Sequence, residues 1–500
     1  MGLGALLSGV IGLCLLIRQF IYIDTFFRFT DVLASFTLLS VGFGTYIPYI
    51  SNEWQNALEG IGILNNQVSA VANALIYVNI YSFTFFVLNL IFTKKNNNLH
   101  TPETPDSLLI KKAFEKQTDK DLSQLLTSCF FISIYQFYLI KSGKFGFLWQ
   151  GTVDRIGNGS IKLVKPEMAI ILLLVSFVFF VLGLSLLGIG RITKKNTQKI
   201  LVFFYLFSLF IQIIWLLIAA TRGEFIFNAF LFIFGFTLSN IYFHSHKKNN
   251  FNLHLKVKKS IIHLKVKKLI IIGLVILSIV YTGIQVTSFI RFLNNKVSNF
   301  KELGLEERVN VVYNEISNYY IGRNSLFQKE EFESKLRDNF STRTFVITGL
   351  IIMMENKQYY PLGGEEFINN LRKSVPRIIG TDKFSVLTQE ALYFTRFNMT
   401  STGDLADSFY LSSYVDFSIF GSILYPLIIF TTLNLYVKFL CKLNISRINL
   451  LVIIALFFNV SIHSGEIALS VFFLLIRDTL MFIAIFEILY FFIGSKKKME

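Results

Sequence analysis

The chain has 500 residues, of which 53% are hydrophobic and only 16% charged; its formal net charge is +16 and its mean hydropathy +0.55. Soluble domains carry roughly 25% charged residues, so this composition excludes an ordinary soluble fold. The positive balance does not mark a nucleic-acid binder either. The lysines and arginines sit in short tracts beside apolar runs instead of on one soluble face. Cys14, Cys129 and Cys441 fall in or next to those runs, and no structural disulfide is expected.

Apolar runs of the roughly 18–20 residues that cross a bilayer as helix recur along the chain. The ten-residue alternation of barrel strands does not appear. The expected fold class is therefore an all-α polytopic membrane protein. In chain order the spans read as 2–17, 32–50, 68–92, 121–140, 167–190, 199–220, 225–243, 269–290, 413–437, 448–462 and 468–493. The first lacks a basic n-region and a small-residue cleavage site, so it reads as a retained span. Arg18, Asp24, Arg28 and Asp31 crowd its junction with the second.

Lysine tracts give the orientation. Lys94-Lys95 with Lys111-Lys112, Arg191 to Lys199, His246 to Lys268, Lys438 to Arg447 and Lys496 to Lys498 fall on one side, expected to be cytoplasmic. Only the 141–166 loop, basic yet expected outside, disagrees. Within the third tract from the N-terminus, His254 to Lys259 is repeated as His263 to Lys268, a duplicated topology signal or a headgroup-attracting segment. No longer repeat is visible, which weakens an inverted-repeat transporter reading.

The domain reading is thus 1–290 membrane helices, 291–412 an outer cap, 413–494 membrane helices and 495–500 a cytoplasmic tail. The cap is the one long polar stretch. Its acidic and basic residues nearly balance, and it contains no Cys, His or Trp. Val309 to Tyr320 and Glu331 to Arg337 carry helix-like apolar spacing. Residues 345–354 are too short to span and read as a helix lying against the bundle. Pro361 and Gly363-Gly364 make a turn, Glu365 to Ser374 a short helix that Pro376 stops, and 398–408 a small-residue loop.

Four arginines are candidates for binding phosphate, because a guanidinium fork makes paired charge-assisted bonds. Arg222 lies in an outer tight turn, where arginine is not needed for topology; a snorkelling or headgroup-binding role is the other reading. Arg477 sits within the last span or at the outer end of a shortened one; it should face the bundle interior or a wet cavity, and Asp478 offers it a structural partner. Arg343 precedes the 345–354 helix, and Arg377 follows Pro376. Glu224, Glu365, Glu366, Asp404 and Asp407 are candidate general bases. His463 is the only histidine expected outside. Walker A, HExxH and CxxC motifs are absent, as is an Asp-rich metal triad; no cofactor or metal is expected.

The layout resembles the Wzy-type O-antigen polymerases. The residues that carry the resemblance are Thr221-Arg-Gly-Glu224 on an outer turn and Arg343 before a loop helix. They continue with Tyr360-Pro-Leu-Gly-Gly364, the stretch from Val375 to Lys383, and the stretch from Ser412 to Gly421 leading into the next span. The resemblance implies a metal-independent, GT-C-like glycosyltransferase of the bacterial inner membrane with its large loop periplasmic. It would take undecaprenyl-diphosphate-linked oligosaccharides as donor and acceptor, with a chain-length regulator as a further partner and no nucleic acid. Arg222, Arg343 and Arg377 match the family's functional arginines. The related O-antigen ligases place a functional histidine in the large loop, and 291–412 has none. A lipid-linked oligosaccharide flippase is the alternative from another class. It would need charges spread through mid-membrane spans, and most spans from 68 to 290 lack them.

Overall fold

The computed structural model describes residues 1–23, 25–50, 53–59, 67–94, 104–114, 119–141, 175–186, 197–219, 222–245, 305–321, 347–375, 389–397, 408–443, 445–465 and 469–496, with a few single positions between 278 and 293. All regular structure among them is helical. Six of these helices are long and apolar enough to cross a membrane: Gly2–Ile21, Phe29–Ile50, Gln67–Phe92, Leu122–Lys141, Lys199–Leu217 and Phe409–Lys442. Val175–Leu186, Ile226–Ser239 and Asn449–His463 are apolar but shorter. The expected span at 269–290 lies outside the described residues, single positions apart. So do the 141–166 loop beyond Lys141 and the duplicated lysine segment.

The chain forms two compact units. One joins Met1–Glu115 to Asp338–Glu500, and the other is Lys116–Arg337. The first contains α1 (Gly2–Ile21), α2 (Phe29–Ile50), α3 (Glu53–Glu59), α4 (Gln67–Lys94) and α5 (Pro105–Phe114). The second contains α6 (Asp119–Lys141), α7 (Val175–Leu186), α8 (Thr197–Ala219), α9 (Arg222–Ser245) and α10 (Leu305–Ile321). The first unit then resumes with α11 (Thr348–Glu355), α12 (Glu365–Ser374), α13 (Gln389–Phe397), α14 (Phe409–Phe417), α15 (Gly421–Lys442), α16 (Arg447–His463) and α17 (Leu469–Lys496).

Lipid tails are as apolar as leucine, so membrane helices pair through close packing and polar contacts. α1 and α2 do so through small residues: a Cβ on Gly42 would fall 2.2 Å from the Gly9 nitrogen. In the second unit α6 and α8 meet through buried amides, with Gln212 Nε2 donating to Gln136 Oε1 and, at 3.3 Å, to Ser133 Oγ. Phe130 stacks on Phe204 beside them, ring centroids 4.0 Å apart. Along α4 the exposed side chains Ile76, Phe83, Val87 and Leu90 recur at helical spacing, an apolar stripe suited to lipid.

The crowded junction between the first two spans is a buried polar knot. Gln19 Nε2 donates to Asp31 Oδ2 at 2.9 Å, while its Oε1 accepts from the Arg28 backbone N–H at 3.1 Å. Asn89 of α4 donates to Asp31 and, at 3.2 Å, to Thr30 Oγ1. Asp106 at the start of α5 accepts from Phe29 N–H at 3.3 Å, and Thr104 Oγ1 donates to Phe27 O at 2.6 Å. The Arg28 guanidinium lies 5.8 Å from the centroid of the Phe430 ring. Burial pushes the Asp106 carboxyl up to about 6, against the pull of Arg28 and of the Phe29 N–H.

Candidate active site

The site of interest in the first unit is built where residues 347–375 meet α4, α14 and α17. Its organising segment is the sequence between α14 and α15. Residues 413–437 read as one span, yet the chain turns a corner at Ser418–Phe420, a 3₁₀ turn. Ser418 takes φ 52, costly for a residue with a side chain. The corner is tight: a Cβ on Gly421 would lie 1.9 Å from Ser413 O. Tyr77 of α4 braces it from below through a 2.7 Å hydrogen bond with Ser413 Oγ. Ser408 starts α14 as its N-cap, accepting from Leu411 N–H at 3.2 Å.

The turn at Pro361–Gly364 latches onto that corner. Leu362 N–H donates to Val415 O at 3.1 Å, and Gly363 N–H to Asp416 O at 2.9 Å. Gly363 and Gly364 have φ of 62 and 97, the left-handed region that glycine enters without steric cost. Helix α12 therefore starts with no side chain of its own to cap it. Asp416 supplies the cap from fifty residues away. Its carboxylate accepts from Glu366 N–H at 3.0 Å and Phe367 N–H at 2.9 Å, and Tyr425 OH donates to it as well. A negative charge at a helix N-terminus also complements the macrodipole.

Glu366 forms the second layer. Only 1% of it is exposed. Ser412 Oγ donates to it at 2.6 Å, Asn370 Nδ2 at 3.4 Å, and Tyr393 OH through a short bond. Gln389 Nε2 in turn donates to Tyr393 OH at 2.7 Å and Ser412 Oγ at 3.2 Å. One carboxylate thereby ties α12, α13 and α14 together. As a base it is enclosed, and both its oxygens are used by the fold. Glu365 instead pairs at the surface with Arg396, 2.7 Å, and this hydrogen bond raises the arginine's pKa further.

The far end of α12 is held by an arginine. Arg477 donates to Ser374 O at 2.8 Å and pairs through Nε with Asp478 Oδ1 at 2.6 Å, while 27% of its side chain stays exposed. A cation on the last carbonyls of a helix is favourable for the same dipole reason. The structural partner anticipated for Arg477 is thus present. Tyr359 lies over Tyr414, ring centroids 4.9 Å apart, and donates to Tyr414 O at 2.6 Å. Burial raises its hydroxyl pKa. α11 packs its buried Leu350, Ile351 and Met353 against α4 and α14, as the short apolar run suggested.

Of the other sequence candidates, Arg222 and Glu224 lie in the first turn of α9, in the second unit. Arg343, Arg377, Asp404 and Asp407 lie outside the described residues, as does the expected helix Glu331 to Arg337. His463 ends α16, with Nδ1 2.8 Å from Asn459 O. Among the described residues no group of three or more His, Cys, Asp or Glu is placed to hold a metal ion.

Asp416, Tyr425, Tyr393, Gln389 and Tyr77 had no assigned role in the sequence. One signal was there: two glycines ahead of Glu365-Glu366 start a helix without a capping side chain, so the acceptor must come from elsewhere. The chain matches no known protein family, no curated protein and no solved structure.

Proposed function

We propose that the protein polymerises lipid-diphosphate-linked oligosaccharides by glycosyl transfer at the outer face of a bacterial inner membrane, as the resemblance to Wzy-type polymerases implies. The observation that carries the reading is the latch. The Tyr360–Gly364 turn and the Ser412–Gly421 corner are separate signatures of that resemblance, and backbone hydrogen bonds join them at the helix ends. A rigid cap base at that level suits a donor whose lipid tail stays in the bilayer and whose diphosphate sits at its surface.

The chemistry asks little more. A sugar diphosphate is already a good leaving group; the protein needs cations where charge develops on the departing pyrophosphate, and a base for the acceptor hydroxyl. Arg222, Arg343 and Arg377 are proposed for the first task, with Arg477 a fourth cation at the α12 end. Asp404, Asp407 and Glu224 are proposed for the second. The fixed Asp416 and Glu366 hold the cap base and take no part in proton transfer.

Deletion of the gene should leave single repeat units on the lipopolysaccharide core. Loss of all surface polysaccharide, with repeat units accumulating on the lipid carrier, would point to a ligase. Arg222→Ala and Arg343→Ala should each abolish chain extension while the protein inserts normally. Full activity in both would sink the clamp.

A further inference from the structure

In the sequence the Lys438 to Arg447 tract is a topology signal. In the structure, part of it borders a cavity of about 360 Å³ lined by Thr104, Pro105, Leu108, Lys438, Cys441 and Lys442. Lys438 and Lys442 are one helical turn apart, so their ammonium groups share a face of α15. Both are exposed, and neither makes a hydrogen bond or ion pair among the described residues. Lys112 is differently placed: its ammonium donates to Cys441 O. It thereby answers part of the negative end of the α15 dipole and leaves the other two lysines for a ligand.

Depth selects the ligand. Beside the cavity, α15 exposes Leu435 and Phe439 by 62% and 49%, the end of an apolar surface that begins higher on the helix with Ile423, Leu424 and Leu427. The cavity opens where that surface gives way to lysine, the level of headgroup phosphates. Pro105 and Leu108 give it an apolar wall for glycerol and the first acyl carbons. Basic pockets between membrane helices are known to hold anionic lipid headgroups by this combination. We propose that the cavity between α5 and the end of α15 binds an anionic phospholipid, with its phosphate held by Lys438 and Lys442. The proposal is independent of the glycosyl-transfer reading.

The test uses the full chain purified in detergent. Phosphatidylglycerol, phosphatidylcholine and inorganic phosphate are added separately, and melting temperature and lipid retained in native mass spectra are read. Phosphatidylglycerol should be retained and raise the melting temperature; the other two should not. The double variant Lys438→Gln/Lys442→Gln should weaken phosphatidylglycerol binding about thirtyfold, at about a factor of five per lysine. The pair Lys438→Arg/Lys442→Arg should keep it, separating lost charge from misfolding. Equal protection by phosphatidylcholine, or unchanged binding in the glutamine variant, would overturn the proposal. An equal shift from inorganic phosphate alone would do so too, by assigning the lysines to a free anion.

Discussion

The first unit contains two buried polar knots that solve the same problem differently. At the α1–α2 junction, two carboxylates, Asp31 and Asp106, share their surroundings with the buried Arg28. At the start of α12, Asp416 and Glu366 are held by hydroxyls, amides and backbone N–H groups. Tyr77 and Asn89 of α4, each joined to one knot, are twelve residues apart, about 18 Å along the helix. The lower knot offsets charge with charge and should fail when its cation is lost. The upper knot solvates its carboxylates with donors and should fail when an acceptor is lost.

Arg28→Met makes the sharpest break. Removing one partner of a buried ionic group costs about 3–5 kcal/mol, because the remaining charge is left uncompensated. A large drop in melting temperature is expected, partly restored by adding Asp31→Asn. A variant as stable as wild type would remove the distinction between the knots.

At the upper knot, Asp416→Ala should cost about 2–4 kcal/mol, the sum of a lost N-cap and donors left buried without partners. Asp416→Asn retains an acceptor and should cost less. Limited proteolysis within 356–375 should accelerate in the alanine variant, since α12 loses its anchor. If this segment resists protease unchanged, the latch is not what holds it.

The third effect is one of pH. The folded Asp106 carboxyl stands at about 6 through burial, and an unfolded aspartate titrates near about 3.9. Over that window the unfolded chain loses its proton first, so Asp106 contributes stability at low pH that fades as pH rises towards 6. Wild-type stability relative to Asp106→Asn should therefore fall between about pH 4 and 6. A flat difference would contradict the burial. The smallest change is Gly364→Ala, about 1–2 kcal/mol, from placing a Cβ at φ 97. A neutral melting temperature there would show that the turn can relax.

Much of the fold was legible because membrane helices announce themselves locally. The run 199–220 is observed as Thr197–Ala219, and 448–462 as Arg447–His463. Glu365 to Ser374 was bounded correctly by its flanking glycines and Pro376. The 413–437 reading missed the corner, because periodicity reports a helix and not where it bends. Of the candidate site, Arg477 with its partner Asp478 was readable as neighbours, whereas its hold on Ser374 O was not.

By itself, the sequence determined the class: an all-α chain with lysine-marked helix ends and one long polar stretch, because apolar length and charge placement are local properties. Only the tertiary structure decided that Asp416 caps α12, that Glu366 is enclosed, and that Lys438 and Lys442 border a cavity. Those pairings join residues tens to hundreds of positions apart. A hydrogen bond depends on separation in space, which spacing along the chain does not specify.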